Sequence, residues 1–204
     1  MPSRHLTNLL QRRPELAGAR QSILQAYEVL RKCFRSGGKI LLCGNGGSAA
    51  DADHWAGELL KGFCKDRPLS KKERSGLRPA IAAKLQGALP AIPLTSFPAA
   101  STAFGNDVDP DLAYAQLTSA LGRRGDVFVG LSTSGNAQNV CAAAEVARAK
   151  GLKVITLTGA SGGKLKRLTD VCICAPARET YRAQEYHLPI YHCLSLMLEE
   201  EFFG

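Results

Sequence analysis

The chain has 204 residues, 45% hydrophobic and 22% charged, which is enough to build one large domain with its own core and excludes wholesale disorder. No run approaches the roughly 18 apolar residues of a membrane span, and Met1-Pro2-Ser3-Arg4-His5 opens a polar segment rather than a signal-peptide core, so a soluble cytoplasmic protein is expected. The net charge is +8, but eight basic and two acidic residues between Lys61 and Lys84 carry +6 of it, and the near-balanced remainder disfavours nucleic acid as a partner of the whole fold.

Residues 3–36 read as one or two helices, with Leu9, Leu10, Leu16, Ile23, Leu24, Tyr27, Leu30 and Cys33 at helical spacing and Gly37-Gly38 as the stop. Lys39 to Cys43 is the first strand, and Gly44-Asn45-Gly46-Gly47-Ser48 leads into a helix from about Ala49 to Phe63. Residues 64–89 are basic and hold Pro68 and Pro79, so they read as an inserted loop or helical excursion. Ala91 to Thr95 is the second strand, Phe97 to Gly105 a short helix, Asn106-Asp107 a turn, and a further helix runs to about Leu121. The third strand, Val127 to Leu131, ends at Ser132-Thr133-Ser134-Gly135-Asn136, which opens a helix to Lys150. Lys153 to Thr158 is the fourth strand, Gly162-Gly163 begins a short helix to Leu168, and Val171 to Cys174 is the fifth strand. The last helix covers roughly Ala183 to Phe202. Strands that are unbroken apolar runs, alternating with helices, predict one α/β domain: a three-layer α/β/α sandwich around five parallel strands.

Seven cysteines with no C-x-x-C pair suit neither a zinc ribbon nor a disulfide framework, and buried, reduced core thiols are expected.

In open parallel sheets ligands bind beyond the carboxyl ends of the strands. Strands one and three both end there in loops rich in glycine and hydroxyl groups, and both loops open helices. Backbone N–H groups at a helix start, helped by hydroxyls, favour an anion such as a phosphate ester, although plain βα turns with serine caps would look similar. Neither loop is a P-loop or a complete dinucleotide fingerprint. Histidines are few. His54 and Glu58, four apart on the helix after the first loop, share a face, and Gln184, Glu185, His187 and His192 fall in or near the last helix. Histidine with carboxylate on one face suits half of a divalent metal site or an acid/base pair, and equally a solvated i,i+4 pair.

The run Gly44-Asn45-Gly46-Gly47-Ser48-Ala49-Ala50-Asp51-Ala52-Asp53-His54, then Glu58, is followed in order by four more motifs. They are Gly105-Asn106-Asp107, Ser132 to Asn136, Leu157-Thr158-Gly159 with Gly162-Gly163, and Gln184-Glu185 ahead of His187 and His192. Together these resemble the sugar isomerase (SIS) domain family, the sedoheptulose 7-phosphate isomerases in particular. The resemblance implies a flavodoxin-like five-stranded SIS domain over residues 1–204, assembled as a homotetramer with a site shared between subunits. It implies conversion of sedoheptulose 7-phosphate, through an enediol, to D-glycero-D-manno-heptose 7-phosphate in heptose biosynthesis. Glu58 and His192 would be the acid/base pair, and His54, Glu58, Gln184 and His192 would hold one zinc ion per subunit. Substrate contacts would come from Asn45, Gly46, Gly47, Ser48, Glu58, Asn106, Asp107, Ser132, Thr133, Ser134 and Gln184, with no nucleic-acid or membrane partner. An arginine usual a few residues after the helix glutamate is replaced here by Lys61, and the 65–89 connection is longer and more basic. The alternatives are an isomerase of another sugar phosphate, or a non-catalytic SIS-domain protein that binds the replication initiator. The latter has lost the glutamate and histidine that this chain keeps. Gln184 and His192 are eight residues apart, a rise of roughly 12 Å on a continuous helix, so either Gln184 precedes the helix or two subunits share the site.

Overall fold

The computed structural model describes residues 3–204; Met1 and Pro2, the start of the polar opening segment, lie outside it. Five strands form one sheet: β1 (Ile40–Cys43), β2 (Ala91–Pro93), β3 (Val127–Ser132), β4 (Lys153–Thr158) and β5 (Val171–Cys174). Their order is β2-β1-β3-β4-β5, and every neighbouring pair is parallel. Side chains of a strand alternate between faces, and both faces here are apolar. Ile40 and Leu42 point to one cluster with Val129, Ile155 and Ile173, while Leu41 and Cys43 point to another with Phe128 and Val154.

The first cluster is covered by α1 (Ser3–Arg12), α2 (Arg20–Arg35), α3 (Gly47–Leu60) and α9 (Thr180–Phe203). The second is covered by α7 (Ala113–Leu121) and α8 (Gln138–Ala149). The three-layer sandwich and the N-terminal helices expected from sequence are therefore present. Pro14 divides the N-terminal segment, through a 3-10 turn over Pro14–Ala19. No helix among the described residues is long and apolar enough to cross a membrane.

Several boundaries differ from expectation. Asn106 and Asp107 are not a turn; they are the last residues of α6 (Pro98–Asp107). The break falls at Asp109-Pro110 instead, where proline disfavours a helical residue before it and the Asp109 carboxylate accepts from Asp111 N. β2 stops at Pro93, and a 3-10 turn follows over Leu94–Ser96. The segment after Gly162-Gly163 is a 3-10 turn, Lys164–Arg167. α8 starts two residues after Asn136, and α9 starts at Thr180, three residues earlier than expected.

The 64–89 excursion carries two single-turn helices, α4 (Lys71–Arg74) and α5 (Pro79–Ala82). Its base is closed by an antiparallel bridge of Pro68 to Gln86 and by Gly87 N donating to Arg67 O at 2.6 Å. Arg67 is buried, so one charge of the basic run belongs to the core. The cysteines are all free, but only Cys33, Cys43, Cys141 and Cys193 are buried. Cys64 is exposed, and Cys172 and Cys174 are half-buried on β5 with their sulfurs 3.6 Å apart. The run Val171–Cys174 carries its valine and isoleucine on one face and its thiols on the other, which is why the thiols are not core residues.

Candidate active site

The strand order places the topological switch point between β1 and β3, where the crevice of a doubly wound sheet opens. The two glycine- and hydroxyl-rich loops leave those two strands side by side. A cavity of about 160 Å³ lies between them, lined among others by Asn45, Ser48, Ser132, Thr133, Ser134 and Gln184. Asn45 and Asn139 exchange amide hydrogen bonds of 2.9 Å in both directions, which ties the first loop to α8. Neither helix start, at Gly46 or Ala137, has a side-chain cap. Ser48 N and Ala49 N already donate to Asn45 O and Gly46 O, and Val140 N to Asn139 Oδ1, which leaves the N–H groups of Gly47, Gln138 and Asn139 for an anion. Gly135 holds the second loop in a left-handed turn at φ 68°, and a Cβ there would lie 2.2 Å from Gly162 O. The backbone of the β4 loop thus braces the Ser132–Ser134 turn, and this gives Gly162-Gly163 its place in the motif order.

Gln184 lies inside α9, so the alternative that it precedes the helix does not hold. Its side chain rests on Gly47, where a Cβ would come within 2.5 Å of Nε2. It belongs with the cradle, together with Asn45, Gly46, Gly47, Ser48 and Ser132–Ser134. Asn106 and Asp107 are exposed, bond to each other at 2.9 Å, and do not line the cradle cavity. A larger adjoining cavity, about 400 Å³, adds Ser161 and Arg178 beside Thr133 and Ser134. Sequence reasoning missed both; Arg178, a cation just ahead of the last helix, was the available signal.

The second cluster lies further along the same two helices. His54, Glu58 and His192 bring one ligand atom each within 4.8 Å of one another. His54 Nε2 is 3.0 Å from Glu58 Oε1, and its Nδ1 is 2.9 Å from the Tyr191 hydroxyl. Glu58 Oε2 and His192 Nε2 are buried without a hydrogen-bond partner, with only Lys61 Nζ approaching Glu58 Oε2, at 3.6 Å. Burial, then the neighbouring His54, push the His192 imidazole below its ordinary value, and Glu58 opposes them. Two histidines and a carboxylate with converging unpartnered atoms make a donor set that fits a divalent metal ion. His187 is not part of this cluster. It is buried, held 3.1 Å from Thr158 O, and desolvation brings it down to about 4.

Two profiles of the SIS domain match the chain, over residues 5–85 and 102–198. The phosphoheptose isomerase of Aneurinibacillus thermoaerophilus is 39% identical over 194 residues, covering 90% of this chain and 88% of that protein. That of Rhodospirillum rubrum is 41% identical over 179 residues, covering 88% and 85%. The chain belongs to the phosphoheptose isomerase family. The solved phosphoheptose isomerase from Francisella tularensis superposes on this family member with a TM-score of 0.78 at 33% identity, covering 97% of this chain and 96% of that one. The Neisseria gonorrhoeae enzyme gives 0.77 at 34%, with the same coverage.

In this member of the phosphoheptose isomerase family an arginine from the following segment folds back behind the glutamate. Arg67, nine positions on, donates to Glu58 O at 3.1 Å and Leu59 O at 2.9 Å, closing the end of α3. Its Nε bonds Glu199 Oε1 at 2.8 Å, and Phe63 N and Cys64 N also donate to that carboxylate, at 2.8 and 2.9 Å. Lys61, the arginine's sequence stand-in, has a largely exposed side chain.

Proposed function

We propose that this protein is a cytoplasmic sedoheptulose 7-phosphate isomerase that interconverts the ketose phosphate and its aldose through an enediol, working as a homotetramer. The observation that carries the reading is the pair of buried, unpartnered atoms, Glu58 Oε2 and His192 Nε2, on helices that both begin beside an anion cradle. The cradle takes the phosphate on Ser132, Thr133 and Ser134 and on the helix-start N–H groups. Asn45 to Ser48 and Gln184 contact the sugar. Glu58 removes the carbon-bound proton at C1 and returns it at C2. His192, kept neutral by burial, exchanges a proton with the sugar oxygens as the carbonyl moves.

A zinc ion, one per subunit, would be held by His54, Glu58 and His192, with Gln184 completing the set from a neighbouring copy, and when bound it would polarise the carbonyl and steady the enediolate oxygens. The Nε2 lone pair of His192 serves the ion or the proton, one at a time, so with metal bound that residue acts as a ligand. Purified protein incubated with a panel of ketose phosphates, with and without a chelator, tests the proposal. Aldose formation from the seven-carbon ketose phosphate is expected. No turnover of that substrate, with or without added zinc, refutes it. Chelation that leaves the rate intact assigns His192 to proton transfer and removes zinc from the reaction.

A further inference from the structure

We propose that Tyr191 and Asp51 are positioning residues that fix which nitrogen of His54 carries its proton, turning the Nε2 lone pair toward Glu58 so that the cluster is preset to hold a metal ion. The inference rests on reading His54, Glu58 and His192 as a metal site.

Asp51, His54 and Glu58 stand three and four residues apart on α3 and so share a face. Tyr191 reaches them from α9, next to His192 in sequence. It is fully buried, stacked on Trp55 with ring centroids 5.6 Å apart, and set edge-on to His54 and His192. These rings hold the phenol in one orientation.

Its hydroxyl touches two polar atoms, Asp51 Oδ1 at 3.2 Å and His54 Nδ1 at 2.9 Å. An ionised carboxylate can only accept, so the Tyr191 O–H donates to Asp51. The phenol oxygen then has only lone pairs to offer His54, so Nδ1 carries the imidazole hydrogen. The imidazole that ligates a metal ion is neutral and has one such hydrogen, so in that form Nε2 is left as a lone pair 3.0 Å from Glu58 Oε1. Two acceptors facing each other at that distance are satisfied by a cation between them. The partnerless Glu58 Oε2 and His192 Nε2 are the other open atoms of the same cluster. Groups behind a ligating histidine that fix its tautomer typically change metal affinity by about 10–100-fold.

The test is competition for zinc between the full-length, metal-stripped protein and a chromophoric chelator. Tyr191→Phe keeps the ring and removes only the hydroxyl, and it is expected to weaken zinc binding by about 10–100-fold. Asp51→Asn should weaken it in the same direction and by less, because an amide can pair with the phenol in either sense. In a His54→Ala background Tyr191→Phe should have almost no further effect, which separates action through His54 from a general packing defect. Zinc affinity of Tyr191→Phe within about threefold of wild type overturns the proposal, and so does an equal loss in the His54→Ala background. If Tyr191→Phe gives no cooperative melting transition, Asp51→Asn decides by the same threshold. Wild-type protein that binds no zinc refutes the metal reading and this inference with it. Tight zinc binding that Tyr191→Phe leaves unchanged refutes the inference alone.

Discussion

Replacing Arg67 with leucine should destabilise the protein by several kcal/mol and misplace Glu58. The guanidinium is buried. It bonds Glu199 and the carbonyls of Glu58 and Leu59, and it sits 4.7 Å from the Phe203 ring centroid. Leucine fills much of the volume but leaves the Glu199 carboxylate buried with only two backbone N–H donors, and takes from Glu58 O its Arg67 donor, while Leu59 O keeps Leu89 N. Breaking a buried pair from one side costs roughly 3–5 kcal/mol. For a chain of this size each kcal/mol moves the melting temperature by about 2–4 °C, so a drop of about 6–20 °C is expected by calorimetry.

The acid limb of stability should move as well. Burial opposes the Glu199 carboxylate, but the N–H groups of Phe63 and Cys64 together with Arg67 outweigh it and hold the carboxyl below the usual range. A depressed carboxyl contributes stability that is present above its unfolded value and is lost as pH falls through the folded one. Without Arg67 that loss should begin at higher pH. Arg67→Leu should also lower kcat, because the α3 carbonyls it releases include that of Glu58 itself. A melting temperature within about 2 °C of wild type, with an unchanged acid limb, would refute the assignment of Arg67 as the anchor of this helix end.

Glu58→Gln and His192→Asn should each lower kcat by about 10²–10⁴-fold with little change in melting temperature, since each removes a titratable atom without removing volume. Activity within about threefold of wild type in either variant would take that residue out of the mechanism. Ser134→Ala should raise KM more than it lowers kcat, by the roughly 1.5–3 kcal/mol of a hydrogen bond to a charged group, read from steady-state kinetics. His187 is brought down to about 4, so the fold favours its neutral form. Its contribution is complete above the ordinary value near 6.5 and is lost as pH falls toward 4, and His187→Gln should flatten a urea-derived stability profile across that window.

The architecture was legible because the strands are short apolar runs, β1 and β4 flanked closely by glycine and β3 preceded by Gly125, and because the two hydroxyl-rich loops close two of those runs. The sheet order then turned loops that are distant in sequence into one cradle. Arg67 was not legible. A charged residue inside a basic, proline-bearing stretch looks solvated, and its partner Glu199 begins a run of three glutamates that looks like a frayed helix end. Only the packing of α9 on the end of α3 reveals that the first of the three points inward. Asn106 and Asp107 were misplaced because Gly105-Asn106 has turn chemistry, while the stronger break, Asp109-Pro110, follows a few residues later. Tyr191 gave no signal of its own, since a tyrosine in an apolar helix ordinarily packs in the core, and this one does so while its hydroxyl faces His54.

The geometry of α3 and α9 bears directly on assembly. Both helices run away from the cradle in the same sense, Ser48 to Glu58 on one and Gln184 to His192 on the other. Ten residues of α3 rise about 15 Å and eight of α9 about 12 Å, so within one protomer Gln184 stays at the cradle while His192 stands at the acid/base cluster. If Gln184 and His192 serve the same ion and the same sugar, they come from different copies. Subunit exchange tests this. Gln184→Ala and His192→Asn variants, each expected to be nearly inactive alone, are mixed in equal amounts, unfolded and refolded together. Every site that draws Gln184 from one copy and His192 from another then has about one chance in four of receiving both wild-type residues, so about a quarter of wild-type activity should return. If each site lies within a single chain, every site in the mixture still carries one lesion, and activity no higher than the parents' average refutes sharing.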